Sequence, residues 1–185
     1  MLLYDVLEHN KSFVENKQYE PFETDKLPNK KVVVLSCMDT RLVELLPNAT
    51  NLKNGDMKIV KNAGAIIPNE HDSVVKSILV AIYALQAEEV MIIGHHRCGM
   101  SQVNANDFKE ALLEKGITED QISGFEQQVP LDGWMVGFDQ VEQSVANSAS
   151  ILRKHPLLPE GIPVHGLVID PHTGKLDLVV DGYEK

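Results

Sequence analysis

The sequence predicts a three-layer α/β/α fold around a mostly parallel central sheet, with an antiparallel edge strand from a C-terminal hairpin. Three observations carry this expectation. Runs such as Val32-Val33-Val34-Leu35 and Val90-Met91-Ile92-Ile93 lack polar alternation, which suits strands covered on both faces. These runs alternate with segments whose apolar residues recur at helical spacing, the pattern of helices crossing over a parallel sheet. The last two strand-like runs, 163–170 and 175–180, flank the turn signal Pro171-His172-Thr173-Gly174 and pair back as a hairpin.

Each element follows from its local pattern. In residues 2–18, Leu3, Val6, Leu7, Phe13 and Val14 mark one or two amphipathic helices. Lying ahead of the core, this arm packs either on its own core or across a partner subunit. Residues 19–31, with Pro21 and Pro28, form a linker. Residues 31–36 are the first strand, 37–41 a loop and 42–46 a short helix. A turn-rich stretch containing Asn54-Gly55-Asp56 leads to a second strand over 57–61. That strand runs into Asn62-Ala63-Gly64-Ala65, small residues that let a backbone approach another group. Asp72 or Ser73 caps a helix over 73–85, whose Val74, Val75, Ile78, Leu79, Ile82 and Leu85 give a wide apolar face. Residues 89–94 are the third strand. Residues 101–130 are polar and helix-prone, with one helix over 108–115 stopping at Gly116. A long amphipathic helix lies within 133–155, turning Val141, Val145, Ile151 and Leu152 inward, and Trp134 reads as core. The whole is one domain over residues 1–185, with 1–30 as arm and linker and 31–185 as core, since this length supports one full core.

Composition narrows the function. A chain 43% hydrophobic and 24% charged is an ordinary globular protein. No apolar run approaches the roughly 20 residues of a membrane span. A net charge of −10 without a basic stripe argues against nucleic-acid binding. The start Met1-Leu2-Leu3-Tyr4-Asp5 lacks a basic segment followed by an apolar core, so the expected compartment is the cytoplasm. Two cysteines make no disulfide framework there, which leaves core filler, nucleophile or metal ligand.

Position favours the last role. Cys37, Asn62-Ala63-Gly64, and His95 with Cys98 each follow a strand, and parallel sheets bind ligands beyond those ends. One histidine and two cysteines make a three-ligand site with an open fourth position, the mark of catalytic rather than structural zinc. Two thiolates blunt the acidity that zinc confers on water, so the site calls for a helper. Asp39 and Arg41 follow Cys37 at alternate positions and can serve, the carboxylate accepting from water and the arginine holding it. Singly, each feature has a plainer reading. A cysteine after a buried strand is usually filler, and Asp39 with Arg41 could be a simple ion pair. His96 is a weaker alternative ligand, Arg97 reads as a solvated or interface charge, and the other histidines as structural or solvent-facing.

Together, Cys37-Met38-Asp39-Thr40-Arg41 and His95-His96-Arg97-Cys98-Gly99 resemble the β-class carbonic anhydrases, whose pattern is Cys-x-Asp-x-Arg and then His-x-x-Cys. The likeness extends through Asn62-Ala63-Gly64 to His165-Gly166-Leu167-Val168-Ile169-Asp170, and covers nearly all of the chain from Lys31 onward. It implies zinc on Cys37, His95 and Cys98, and an Asp39–Arg41 catalytic dyad. The implied reaction is reversible hydration of carbon dioxide to bicarbonate by zinc-bound hydroxide. It further implies a substrate pocket at Asn62, Ala63, Gly64 and Gly99, and a homodimer or dimer of dimers with the N-terminal helix on the neighbour. Lys61, Ala65, His96 and Arg97 depart from common family residues without removing a ligand. Two alternatives keep the same scaffold. One is a hydrolase of carbon disulfide or carbonyl sulfide. The other is a catalytically weak zinc protein, closed by Asp39 in the fourth position.

Overall fold

The computed structural model describes residues 1–135 and 137–184. Five strands form one sheet in the order β2-β1-β3-β4-β5: β1 (Val32–Cys37), β2 (Met57–Asn62), β3 (Glu89–His95), β4 (Val164–Ile169) and β5 (Leu176–Val180). The first four run parallel, and β5 returns antiparallel to β4. All six residues of β1 are buried, as its unbroken apolar run requires.

Side chains alternate across the sheet and so build two cores. Val33, Leu35 and Ile92 face α3 (Ser73–Leu85) and α7 (Val141–Arg153) on one side. Val32, Val34 and Ile93 face α2 (Leu42–Thr50) on the other. The expected layers are therefore present. Gly94 lets α7 lie close on β3, because a Cβ there would fall 2.8 Å from both Val141 and Val145 methyls. Asp72 caps α3 by accepting the Val74 amide at 2.8 Å.

Several boundaries differ from the sequence reading. α2 continues through Pro47 to Thr50, held by the buried Leu42 and Leu46. Residues 105–134 form three pieces, α4 (Ala105–Glu114), α5 (Glu119–Glu126) and α6 (Leu131–Trp134), and the last long helix begins only at Val141. Trp134 is not core. It is 56% exposed, in a surface aromatic cluster with its ring 5.2 Å from Phe125 and 6.5 Å from Phe108. α1 (Leu2–Glu15) buries none of its residues, so the arm does not pack on its own core. Among the described residues, no helix is long and apolar enough to cross a membrane.

Candidate metal centre

Strand register brings the motif residues to one edge. Cys37 pairs with Asn62 across β1 and β2, and His95 pairs with Ile169 across β3 and β4. The chain leaves β3 into a tight loop and returns Cys98 toward Cys37. The donor atoms of Cys37, His95 and Cys98 all lie within 4.8 Å of one another, and all three residues are buried. The sulfurs are 3.9 Å apart.

The surroundings leave these atoms able to hold a cation. His95 Nδ1 donates to the His96 carbonyl at 2.9 Å, which leaves the Nε2 lone pair facing the cluster. That Nε2 is buried without a hydrogen-bond partner among the described residues, the condition of a ligand atom rather than of a satisfied core histidine. The Gly64 amide donates to Cys37 Sγ at 3.3 Å. Gly64 can aim its amide there because it adopts φ +83°, a left-handed conformation few other residues accept. The two thiols titrate as a pair. The hydrogen bond with Cys98 draws Cys37 well below the ordinary thiol range, and the same bond, with burial, pushes Cys98 above it. Because thiolates are the ligand form, a cation held here would displace thiol protons.

Asp39 and Arg41 stand beside this group in a two-pronged ion pair. Arg41 Nε donates to Asp39 Oδ1 at 2.9 Å, and Nη2 donates to Oδ2 at 2.7 Å. The Arg41 backbone amide adds a bond to Oδ1 at 2.9 Å. These bonds hold the Asp39 carboxyl far below the usual carboxylate range. Asp39 Oδ2 lies 3.7 Å from His95 Nε2. The fork turns the carboxylate toward Arg41, so Asp39 stands outside the donor cluster. A cavity of about 450 Å³ opens here, with Met38, Ala63, Gly64, Gly99 and Met100 in its walls. Asn62 is placed differently. Its side chain donates to the Ile66 carbonyl at 2.7 Å and lines the adjoining cavity.

Two residues make contacts that the sequence did not show. Arg97 is the exposed charge expected, with 58% of its side chain open to solvent, but it is tied down: its side chain bonds Asp170 at 3.1 Å, and its carbonyl accepts from Arg41 Nη2 at 3.1 Å. Asp170 also begins the hairpin turn, and Asp-Pro-His-Thr-Gly is a recognisable signal for such a side-chain-capped turn.

Comparisons with known proteins identify relatives of the whole chain. A family model described as carbonic anhydrase matches residues 32–176. Two Bacillus subtilis proteins align over almost the whole chain. "Putative carbonic anhydrase YtiB" is 54% identical, covering 98% of both chains. "Putative carbonic anhydrase YvdA" is 56% identical, covering 98% of this chain and 93% of its own. Among solved structures, β-carbonic anhydrase isoform I from Trichomonas vaginalis superposes with a TM-score of 0.90 at 33% identity, covering 99% of this chain and 100% of that one. The matched span runs from the first strand to the closing hairpin and includes every donor atom of the cluster, so the chain belongs to the β-carbonic anhydrase family.

Proposed function

We propose that this chain is a zinc enzyme that reversibly hydrates carbon dioxide to bicarbonate and a proton. The observation that carries the reading is the pairing of a buried Cys37–His95–Cys98 donor set with an ionised Asp39 held at its side by Arg41. The donors fit zinc. Two thiolates at about 2.3 Å on a tetrahedral zinc lie roughly 3.8 Å apart, and the sulfurs here are 3.9 Å apart. Two sulfurs and one imidazole are also the donor types that zinc prefers over magnesium or calcium. When bound, zinc supplies the Lewis acidity that makes water a nucleophile at neutral pH.

The chain's own residues do the rest. Asp39 is an acceptor throughout the working pH range, because Arg41 keeps it ionised. It takes a hydrogen bond from water entering the cavity and so directs an oxygen lone pair toward the carbon of the substrate. Arg41 donates from Nε and Nη2 to Asp39 and from Nη2 to the Arg97 carbonyl, which orients the carboxylate. The side chains of Met38, Ala63 and Met100 offer an apolar wall suited to a small, unhydrated gas molecule. Both thiols stay reduced in the cytoplasm expected for this chain. The active form is a homodimer or a dimer of dimers, in which the unpartnered face of α1 is covered.

The test combines metal analysis with stopped-flow carbon dioxide hydration from pH 6.5 to 9. One zinc per chain and turnover well above buffer are expected. Asp39→Asn should keep its zinc and lose about 100-fold in kcat, the usual scale for a positioned acid–base group. Zinc-loaded protein without turnover would falsify the assignment, and sulfide released from carbon disulfide in a parallel assay would redirect it to the hydrolase.

A further inference from the structure

Arg97 lies between the two ligands of one loop and adopts φ +56°. This left-handed region favours glycine and asparagine and strains an arginine. The loop is nevertheless laced to the end of β4 by two bonds. The His96 amide donates to the Ile169 carbonyl at 3.1 Å, and Arg97 Nη2 donates to Asp170 Oδ2 at 3.1 Å. Asp170 is a fixed anchor, because its Oδ1 already accepts the amides of His172 at 2.8 Å and Thr173 at 3.0 Å. In this pose the Arg97 carbonyl faces Arg41 and accepts from Nη2 at 3.1 Å. That nitrogen also holds Asp39 Oδ2.

The arrangement matters because Asp39 and Arg41 share one loop. Their fork fixes each to the other, but it does not by itself fix the pair against the rest of the site. Among the described residues, the Arg97 carbonyl is the acceptor that ties Arg41 to a segment outside that loop. We propose that Arg97 is a positioning residue: clamped by Asp170 in a left-handed turn, it presents its carbonyl to Arg41 and holds the Arg41–Asp39 fork against the metal centre. The C-terminal hairpin is thereby part of the machinery that aims Asp39. The consequence for rate rests on the carbonic anhydrase reading above; the clamp itself does not.

The test uses the metal-loaded protein, three single variants of the clamp, their Arg97→Asn/Asp170→Asn combination, and Arg41→Lys as an assignment control. Arg97→Asn keeps a residue at ease with positive φ and removes the ion pair. Asp170→Asn keeps an oxygen for the turn and removes the charge. Arg97→Lys restores the charge. The first readout is proton exchange at the Arg41 Nε–H by ¹⁵N NMR, resolvable because the chain has three arginines. Arg41→Lys assigns the signal. Exchange should speed up roughly tenfold in Arg97→Asn and in Asp170→Asn, with kcat falling roughly tenfold, as expected when a catalytic group is misplaced. KM and zinc content should barely move, and Tm should hold in Arg97→Asn while falling modestly in Asp170→Asn, whose turn loses its charged cap. The double variant should be no worse than either single one, and Arg97→Lys should recover part of the loss. Unchanged Arg41 exchange in both single variants overturns the proposal, as does a double loss equal to the product of the single losses. If the wild type hydrates no carbon dioxide, exchange alone decides the clamp and the functional reading fails separately.

Discussion

Single residues in this protein often serve two structures at once, and Asp170 is the clearest case. One of its oxygens closes the hairpin turn and the other holds Arg97. The amides of His172 and Thr173 and the Arg97 charge lower its pKa, led by the His172 bond. The sign of the effect follows from linkage. A carboxyl whose folded pKa lies below its unfolded value stabilises the fold fully above the unfolded value, near 3.9 for aspartate. That contribution is lost as pH falls through the lower folded value. The turn should therefore be indifferent to pH between about 5 and 8 and loosen only under acid. Following the His172 and Thr173 amides by NMR from pH 6 downward should show both moving together, with a midpoint below that of a free aspartate. A midpoint at the free value would mean that these bonds are not made in solution.

At the scale of elements, the sheet was legible, and between residues 100 and 140 only the helix that stops before Gly116 was. β1 and β3 announce themselves by unbroken apolar runs, because strands buried on both faces have no polar side to show. Cys37, His95 and Cys98 could be placed at one edge for the same reason: each follows such a run. The helices after Cys98 give a weak signal because they bury little. α4 buries nothing, α5 only Ile122, and α6 only Leu131. Trp134 misled because aromatic residues are usually inside, whereas here three rings cover one another at the surface. The Arg97–Asp170 bond was invisible because 73 residues separate its partners and no pattern of spacing encodes it. The contact of α7 with β3 was equally hidden, yet it makes a firm prediction. Gly94→Ala places a methyl 2.8 Å from Val141 and Val145. It should cost about 1–3 kcal/mol by overpacking, read as a lower urea midpoint at unchanged slope. An unaltered midpoint would show that α7 shifts freely on the sheet.

The whole molecule exposes more surface than a self-sufficient monomer of its size. Folded monomers of 20.6 kDa expose about 8,900 Å² by the usual mass scaling. This chain exposes 12,000 Å², and an excess of roughly 3,000 Å² is on the scale of a large obligate interface. The arm shares in this exposure: Leu2, Leu3, Val6, Leu7, Val14 and Phe22 are each more than half exposed. An isolated helix of 14 residues is marginal in water without a surface to bury its apolar face. In the assembly proposed above, a second copy is the partner. The chain should therefore sediment as a dimer or larger assembly of 20.6 kDa units at micromolar concentration. Leu3→Glu combined with Leu7→Glu should shift it toward monomer and lower the helical signal in circular dichroism, since the arm then loses its cover. With a net charge of −10 on each copy, like charges oppose the contact, so moderate salt should tighten the wild-type assembly. A monomeric wild type with a fully helical arm would overturn this account, because the apolar face of α1 would then need no partner at all.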